Sequence, residues 1–352
     1  MLKGPRLAAL TLIGFLSVAF APSAHAWGCK GHQAVALIAE SHLTPRARET
    51  VLSILSAVPI DPTLPRYCGE NADPFADAST WPDDIRKLRP DTPPWHFIDI
   101  PRGAPKSDLA KYCPEPESCV TSALTEQVRV LRDSSSSAQA KADALRFIIH
   151  FVGDIHQPLH AITNNDMGGN CVPVTFFGQA PQEGPPGRRL VEPGGSVQNN
   201  PGSGSFHPNL HSIWDTDIVE HLSPNETSSQ LASSLDQKFS ARISSWLKQP
   251  SDFEAWAWES HELAERVAYG KLPHPLPIET PRPMNSCADP QEGLPGPRQG
   301  EPGRSDPASH DRLLKIDENL SDDYQNAAAP IVEEQLAKAG ARLAALLNSL
   351  WP

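Results

Sequence analysis

The sequence predicts an all-α fold, in which a single mostly helical domain carries long loops. Segment after segment places apolar residues three and four positions apart, the spacing that gathers them on one face of a helix. The alternation of apolar and polar residues that is typical of a half-buried strand is nearly absent. Proline is abundant, with 37 residues in 352, and many of these fall in two segments that no regular element can cross.

The first 26 residues have the features of an export signal. Two basic residues precede an apolar run over residues 7–20, and Ala24 and Ala26 frame a cleavage site. The run is too short to span a bilayer comfortably, although an uncleaved anchor is the alternative. We therefore predict cleavage after Ala26, which leaves Trp27 at the start of a secreted or periplasmic protein without a membrane anchor.

The rest of the chain is a series of amphipathic segments. Thr44 followed by Pro45 is a typical helix start, because threonine caps the first amide groups and proline fits the first turn. Residues 95–100 form a short mixed segment that we expect to be extended or irregular. In chain order, helices are predicted at residues 33–43, 45–55, 75–81, 118–132, 138–157, 207–221, 227–248, 252–269 and 322–350.

Two stretches rich in proline and glycine interrupt this helical series. Residues 178–206 contain no helical pattern, and the stretch at residues 273–318 begins with prolines too frequent for helix or sheet. No repeat or linker divides the helices into two groups. We therefore predict one domain over residues 27–352, with loop insertions at about 178–206 and 273–318.

The chain is acidic, with 30 basic and 42 acidic residues. Removal of the signal with Lys3 and Arg6 leaves 28 basic residues and a formal charge of −14. Because lysine and arginine are not clustered, a basic stripe that holds nucleic acid is excluded. Bound divalent cations would reverse the sign of the charge locally, so affinity for phosphate should depend on metal.

Six cysteines in an exported chain predict disulfides. Cys113 and Cys119 are expected to form a local bridge, and Cys29 is close enough to Trp27 to fix the N-terminal arm. The remaining pairings stay open, because six cysteines allow about fifteen connectivities. None of the six has the C-x-x-C spacing of a thiolate zinc site, so zinc binding by thiolates is not expected.

Residues 146–160, RFIIHFVGDIHQPLH, carry the strongest functional signal. His150 and Asp154 are four residues apart in an apolar helical pattern, so their side chains project from one face and can meet at one cation. Pro158 tends to kink or end the helix, which directs His160 differently from the helical period. The segment therefore predicts part of a metal site at His150 and Asp154. His160 is a further candidate ligand that points in a different direction.

The same four-residue spacing recurs at His211 and Asp215. A buried histidine satisfied by a carboxylate is the alternative for one such pair, and the repetition argues against it. Neutral imidazoles and carboxylates suit cations of borderline softness, and there are enough of them for more than one ion. The candidate ligands are His32, Asp83, His96, His150, Asp154, His160, His211 and Asp215.

These residues stand in motifs that resemble the trinuclear-zinc nucleases. This family comprises exported single-strand-specific class I nucleases that also act as 3′-nucleotidases, and it is distantly related to bacterial zinc phospholipase C. The resemblance covers nearly the whole mature chain, and the motifs are specific only in combination. They are W-G-x-x-G-H at 27–32, W-x-D-x-x-R at 81–86, H-F-I-D at 96–99, H-F-V-G-D-x-x-Q-P-L-H at 150–160, G-G-N at 168–170, L-H-x-x-W-D at 210–215 and the helix at 328–348.

The resemblance implies three bound Zn²⁺ ions. An α-amine titrates near pH 8, far below lysine, so the amino group of Trp27 can bind metal as the free base once the signal is removed. The implied ligand sets are Asp83, His96, His150 and Asp154 for one ion; His160, His211 and Asp215 for a second; and His32, Asp154 and the terminal nitrogen and carbonyl of Trp27 for a third.

The implied reaction is hydrolysis of phosphodiester bonds in single-stranded DNA and RNA and of 3′-nucleotides, with 5′-phosphate products from the diesters. Water activated by the ions that Asp83 and Asp154 hold would attack phosphorus. Arg86 would neutralise the charge that develops on the phosphate, and a surface ion pair of Arg86 with Asp84 or a neighbouring residue is the alternative.

Three further residues would bind substrate. Phe97 would stack on a base and Asp99 would hydrogen-bond the base edge, which favours unstacked single strands. Core packing for Phe97 and a turn position for Asp99 are the alternatives. Asn170 would orient ligands near the attacking water.

Two other functions fit the same residues. A zinc phospholipase C or other phosphodiesterase would need a lipid-facing apolar surface, and a non-catalytic periplasmic zinc-binding protein would hold metal without hydrolysis. We expect a monomer with no stable protein partner. His156 is expected to contact the metal ligands without binding metal itself. The histidines expected to face solvent are His42, His207, His221, His261, His274 and His310.

Overall fold

A computed structural model describes residues 27–114, 116, 118–183, 206–281, 287 and 318–352. The predicted signal peptide and most of both loop insertions lie outside these residues. The helices are α1 (Gly28–Ser41), α2 (Pro45–Ala57), α3 (Pro74–Ala78), α4 (Trp81–Ile85), α5 (Val120–Arg132), α6 (Ala138–Asp154), α7 (Leu210–Ser212), α8 (Ile218–Leu222), α9 (Ser228–Trp246), α10 (Phe253–Leu263) and α11 (Asp322–Leu350). The prediction of a mostly helical fold is confirmed.

Shorter helical segments extend or connect these elements. Two π-helical segments, Ile213–Asp217 and Ala264–Tyr269, join α7 to α8 and continue α10. Three 3₁₀ segments lie at Pro93–His96, Lys106–Tyr112 and Pro158–Ala161.

Helix α6 is the central element, and its residues from Leu145 to Asp154 are all buried. It packs on α5, α2 and α11. Helix α1 packs on α11 and α9, and Gly340 allows the close approach of α11. A Cβ added at Gly340 would lie 2.5 Å from Cγ2 of Ile38. The burial of α6 on several sides means that polar side chains on it need partners inside the protein.

Several helices begin where the sequence predicts, because a side chain caps the first amide groups. Thr44 Oγ1 accepts a hydrogen bond from the amide of Ala47 at 3.2 Å. Ser137 caps α6 and Asp252 caps α10 in the same way. Each cap satisfies an amide that the helix itself leaves without a partner.

Other predicted boundaries are wrong. The helix predicted at 75–81 is two helices, because Asp73 caps α3 and Pro82 falls in the first turn of α4, where its missing N–H costs nothing. The helix predicted at 138–157 ends at Asp154, ahead of Pro158. The helix predicted from 207 begins at Leu210, because Asn209 caps it.

The segment predicted as extended or irregular at 95–100 begins with the end of a 3₁₀ turn at Trp95 and His96. Four short strands were also not predicted. β1 (Val174–Phe176) pairs in parallel with β4 (Glu318–Leu320), and β2 (Gln182–Glu183) pairs antiparallel with β3 (Phe206–His207). Strands of two or three residues are too short to carry a period in the sequence.

All six cysteines are paired, as Cys29–Cys68, Cys113–Cys119 and Cys171–Cys287. The predicted local bridge is confirmed, and three disulfides fit an extracellular protein. Among the described residues, no helix combines the length and the apolar character that crossing a bilayer requires.

Candidate metal centre

Helix α6 brings His150 and Asp154 to one point in the core. Both side chains are fully buried, and His150 Nε2 lies 3.2 Å from Asp154 Oδ2. Their four-residue spacing on a helix produces this contact, as the sequence predicts. Residues from other elements then gather around this pair.

Asp83 on α4 and His96 on the 3₁₀ turn complete the first group with His150. His96 Nδ1 lies 3.1 Å from His150 Nε2 and 3.0 Å from Asp154 Oδ2. Asp83 Oδ1 lies 3.8 Å from both of these histidine nitrogens. The three side chains therefore surround one point beside Asp154.

A second group forms where α1 begins. His32 Nε2 lies 3.3 Å from Asp154 Oδ1, and the His32 ring stacks on the His150 ring with centroids 4.0 Å apart. Trp27 is buried, and its indole Nε1 donates to the carbonyl of Gly153 at 2.8 Å. Trp27 and His32 thus both lie against the residue that precedes Asp154. The carbonyl of Trp27 accepts from the amide of Gly31 at 3.0 Å.

The third group consists of His160, His211 and Asp215. His211 Nε2 lies 3.1 Å from His160 Nε2 and 3.4 Å from Asp215 Oδ2. Gln157 donates to the other oxygen of Asp215 at 2.6 Å, which holds that carboxylate in place. The chain that follows α6 and carries His160 therefore meets the segment that carries His211 and Asp215, as the sequence predicts.

Backbone carbonyls orient three of the imidazoles. Nδ1 of His150 lies 2.7 Å from the carbonyl of Ser79, and Nδ1 of His160 lies 2.7 Å from the carbonyl of His96. Nδ1 of His211 lies 2.7 Å from the carbonyl of Gly168, at the G-G-N turn. Because Nδ1–H donates to a carbonyl, Nε2 is the ring nitrogen that faces the cluster, as in histidines that bind metal.

The G-G-N turn requires glycine. Gly168 has a φ of +63°, and a Cβ there would lie 2.5 Å from the carbonyl oxygen of Leu159. Any side chain would displace the carbonyl that holds His211.

Burial sets the protonation of these histidines. Burial lowers the pKa of His32 and His160, and it lowers the pKa of His96 and His211 to about 3. These four imidazoles are therefore neutral at pH 7, which is the form that binds metal. Burial would also lower the pKa of His150, but the Asp154 and Asp83 carboxylates outweigh it and raise that pKa to about 9.

The cluster fits a divalent cation. Buried polar atoms without a hydrogen-bond partner collect in it, among them both ring nitrogens of His32, Asp154 Oδ1 and Asp215 Oδ2. Burial raises the pKa of Asp215 well above its usual range, a cost that a nearby cation would remove. Nitrogen and oxygen ligands of a tetrahedral zinc are roughly 3.3–3.5 Å apart.

The observed distances are close to that value. In each of three groups, the ligand atoms lie within 4.8 Å of one another. The groups are His32, His150 and Asp154; Asp83, His96 and His150; and His160, His211 and Asp215. The donors predicted from the sequence are thus brought together, and their role as metal ligands stays a prediction.

Arg86 lies at the edge of the cluster, with Nη1 3.5 Å from Asp83 Oδ1 and its side chain 31% exposed. Asp84 does not pair with Arg86, because Asp84 Oδ2 accepts from Nε of Arg66 at 2.6 Å, and the ion pair with a neighbouring residue is the one to Asp83. The Arg86 guanidinium therefore lies beside a candidate ligand and is accessible to a substrate.

Two of the three predicted substrate-binding residues adjoin parts of the cluster in sequence, Phe97 next to His96 and Asn170 next to the turn that holds His211. Phe97 follows His96 directly and is half-buried, and Asp99 is exposed. Crowding by surrounding protein atoms and repulsion from Asp166 raise the pKa of Asp99 to about 6. Asn170 is half-buried and donates to the carbonyl of Met167 at 2.9 Å.

Two predictions about other histidines are wrong. His156 contacts Arg342 and the carbonyl of Val152 instead of supporting the candidate ligands. His261 was expected at the surface, but it is buried, and its Nδ1 lies 3.1 Å from the carbonyl of Ala161. Both lie where α10 packs on the segment that follows α6, which the spacing of single residues does not reveal.

Groups of buried imidazoles and carboxylates that meet around one helix, with an arginine at their edge, are what a metal-dependent phosphodiesterase needs. Comparison with known families gives the same class, that of the metal-dependent nucleases. The family model that matches is described as S1/P1 Nuclease, and it covers residues 27–282 and 309–352. The chain belongs to the S1/P1 nuclease family.

Relatives with established names are similar over most of the chain. Nuclease S1 of Aspergillus oryzae (strain ATCC 42149 / RIB 40) is 26% identical over 345 residues, which are 96% of this chain and 96% of that protein. Endonuclease 3 of Arabidopsis thaliana is 26% identical over 92% of this chain and 89% of its own. Nuclease P1 of Penicillium citrinum is 29% identical over 56% of this chain and 59% of its own.

Proposed function

We propose that the protein is a secreted, zinc-dependent endonuclease and 3′-nucleotidase that hydrolyses single-stranded DNA and RNA to products with a 5′-phosphate. The observation that carries this proposal is the convergence of three groups of buried histidine and aspartate side chains around α6. Because the chain belongs to a family of nucleases, the expected substrate class is nucleic acid.

Three Zn²⁺ ions would be distributed over these groups. Asp83, His96, His150 and Asp154 would hold the first ion, and His160, His211 and Asp215 the second. His32, Asp154 and the terminal nitrogen and carbonyl of Trp27 would hold the third. Zinc bound here supplies a Lewis acid that activates water near neutral pH and neutralises charge on phosphate.

The protein's own side chains do the remaining work. Arg86 offers a fixed guanidinium whose two-pronged donor geometry matches phosphate oxygens. Asp83, 3.5 Å away, keeps that guanidinium at the edge of the cluster. The carbonyls that bind Nδ1 of His150, His160 and His211 fix these rings before substrate arrives, so little reorganisation is needed during the reaction.

Selectivity for single strands would come from Phe97 and Asp99. A base can stack on the Phe97 ring and hydrogen-bond Asp99 only if it is free of its own stack and pair. Asn170 would help to orient the ligands. With no basic stripe in the sequence, attraction of the phosphate backbone would depend on the bound cations.

Removal of the signal peptide during export would also complete the third metal site. Cleavage after Ala26 would free the amino group of Trp27, and the disulfide Cys29–Cys68 would anchor the adjoining turn. The match to the family model begins at Trp27, which supports this boundary.

The test is hydrolysis of matched single- and double-stranded DNA by the purified mature protein, with chelator and with zinc added back. Single strands should be cut faster, the chelator should abolish cutting, and zinc should restore it. Hydrolysis of phosphatidylcholine alone would identify a phospholipase instead. Bound zinc without hydrolysis, unchanged by Arg86→Ala, would identify a zinc-binding protein.

A further inference from the structure

Asp166 is a buried carboxylate that the function proposed above does not use. The residue is 6% exposed, and within the described part of the chain no lysine or arginine forms an ion pair with it. A buried carboxyl group without a cation needs hydrogen-bond donors from the protein. The donors that Asp166 binds therefore show which parts of the fold it holds together.

Two backbone amides and one hydroxyl are these donors. Oδ1 of Asp166 accepts from the amide of Asn164 at 3.0 Å and from the amide of Gly169 at 3.1 Å. Oδ2 accepts from the hydroxyl of Tyr269 at 2.8 Å, at the end of the π-helical segment that continues α10. The side chain of Asp166 therefore joins the two ends of the turn at residues 164–169 and attaches this turn to α10.

The backbone of this turn has a shape that its residues do not favour by themselves. Four of its positions lie in the left-handed region, with φ of +56° at Asn165, +54° at Met167, +63° at Gly168 and +85° at Gly169. Two of these residues carry side chains, and a methionine rarely adopts this conformation. Because local preference does not determine the turn, its shape depends on the hydrogen bonds to Asp166.

One peptide group of the turn connects Asp166 to the candidate metal ligand His211. The amide of Gly169, which donates to Asp166, and the carbonyl of Gly168 belong to the same peptide bond. That carbonyl lies 2.7 Å from Nδ1 of His211 and orients the imidazole. A peptide group is planar, so a hydrogen bond that fixes the direction of its N–H also fixes the direction of its C=O.

We propose that Asp166 is a positioning residue that fixes the imidazole of His211 by holding the peptide group between Gly168 and Gly169. This rests on the proposed function, in which His211 binds the second zinc ion. The role needs an acceptor oxygen at the place of Oδ1 and does not need a negative charge. An asparagine offers such an oxygen at the same reach, whereas a glutamate carries its oxygens one methylene further out.

The experiment therefore compares Asp166→Asn, which removes the charge and keeps the reach, with Asp166→Glu, which keeps the charge and changes the reach. Zinc is removed with a chelator, and Co²⁺ is titrated into each protein while its visible absorption is recorded. The affinity of each bound equivalent and the Tm are measured. Asp252→Ala is the matched control, because Oδ1 of Asp252 also accepts from a backbone amide, that of Ala255 at 2.9 Å, but only caps α10.

Loss of a group that orients a metal ligand weakens metal binding by about 10–100-fold. We expect Asp166→Glu to weaken one Co²⁺ equivalent by about 10-fold or more and to change its absorption spectrum, while the other equivalents stay within about twofold. Asp166→Asn should keep every affinity within about threefold of the wild type. Asp252→Ala should lower the Tm and leave all Co²⁺ affinities unchanged.

The proposal is overturned if Asp166→Glu binds every Co²⁺ equivalent as the wild type does. It is also overturned if Asp166→Asn weakens one equivalent as much as Asp166→Glu, because the charge would then act directly on the ion. Equal weakening of all equivalents in step with a lower Tm would show a merely structural role. If Asp166→Glu does not fold, Asp166→Ala, which removes the acceptor without added bulk, replaces it with the same expected outcomes.

The same titration separates this proposal from the proposed function. A wild type that binds no Co²⁺ would overturn both. A wild type that binds Co²⁺ and hydrolyses no nucleic acid would contradict the proposed function alone, and the comparison of Asp166→Asn with Asp166→Glu would still decide the role of Asp166.

Discussion

Individual side chains in the metal centre are prepared for a cation by their surroundings. Burial keeps four imidazoles neutral, whereas His150 retains a proton because Asp154 and Asp83 outweigh the burial of its ring. A zinc ion bound as proposed would displace that proton, so its binding at this group would be coupled to proton release. His150 is therefore the candidate ligand through which acidic pH should oppose metal binding most directly.

The carboxyl of Asp99 should make the thermal stability of the protein depend on pH. Its pKa is raised to about 6, so the folded state favours the protonated carboxyl. Its contribution to stability is present below the unfolded pKa of about 4 and is lost as pH rises through the folded value. Asp99→Asn should therefore raise Tm relative to wild type at pH 7, by no more than about 2 °C because solvent screens this exposed side chain.

Thermal unfolding followed by circular dichroism at pH 4 and pH 7 checks this prediction. The difference in Tm between Asp99→Asn and wild type should vanish at pH 4. A difference that is equal at both pH values would mean that Asp99 does not titrate in this range. The same variant should weaken oligonucleotide binding if Asp99 meets the base edge.

The sequence predicts ligands better than it predicts the groups that hold them. The pairs at 150 and 154 and at 211 and 215 follow from helical spacing alone. Gln157, which holds Asp215, stands in the central motif, but nothing in the pattern indicates its partner. The carbonyl of Ser79 that orients His150 could not be predicted, because its approach depends on tertiary packing.

At the scale of elements, the approach of α11 to α1 depends on Gly340. A Cβ there would lie 2.5 Å from Ile38 Cγ2 and 3.0 Å from the carbonyl oxygen of Val35, and a carbonyl cannot rotate away. Gly340→Ala should lower the free energy of unfolding by about 1–3 kcal/mol, although alanine favours helix by up to about 1 kcal/mol. Denaturant unfolding measures this, and an increase in stability would contradict the close approach.

An ion-pair network joins α10 to the same helix. Glu259 contacts Nζ of Lys338 and accepts from Nη2 of Arg342 at 2.9 Å. Burial opposes ionisation, yet Arg342 and Lys338 lower the pKa of Glu259. The stabilisation is therefore present above the unfolded pKa of about 4.5 and is lost as pH falls through the lowered folded value.

Glu259→Gln should cost about 1–3 kcal/mol at pH 7, because it leaves the largely buried Arg342 without its carboxylate and leaves Lys338 with Glu334 alone. The exposed Glu262 on the same helix is the matched control, and Glu262→Gln should change stability little. Urea unfolding at pH 7 and at pH 4 gives both values. A cost for Glu259→Gln that does not shrink at pH 4 would show that packing, not charge, joins the helices.

The extent to which elements could be predicted depends on their length. Helices with a capping residue and several apolar turns, such as α6 and α9, are predicted to within a few residues at most ends. The strands β1 and β4 are not, because their parallel pairing joins residues 174–176 to residues 318–320. Pairing over such a separation leaves no local pattern in the sequence.

Over the whole molecule, the proposed removal of the signal peptide and the proposed metal binding are connected through Trp27. Trp27 is buried beside Gly153 and close to His32, so that a free amino group there would lie near the candidate ligand Asp154. A peptide nitrogen cannot replace an amine as a ligand. A variant with extra residues before Trp27 should therefore bind one zinc fewer and lose most of its activity.

Elemental analysis of that variant and of the correctly processed protein checks the prediction. Thermal unfolding of both shows whether the added residues disturb the fold. Full zinc occupancy and a full rate in the extended variant would exclude the terminal amine as a ligand.

The proposed activity depends on one pocket in which distant parts of an acidic chain would hold several zinc ions that the reaction requires. The most direct measurement is the zinc content of the purified, correctly processed protein, determined on the same sample as its rate on single-stranded DNA. We expect about three zinc ions per chain and a rate that falls and returns as zinc is removed and restored. A protein that is free of metal and still active would contradict the account.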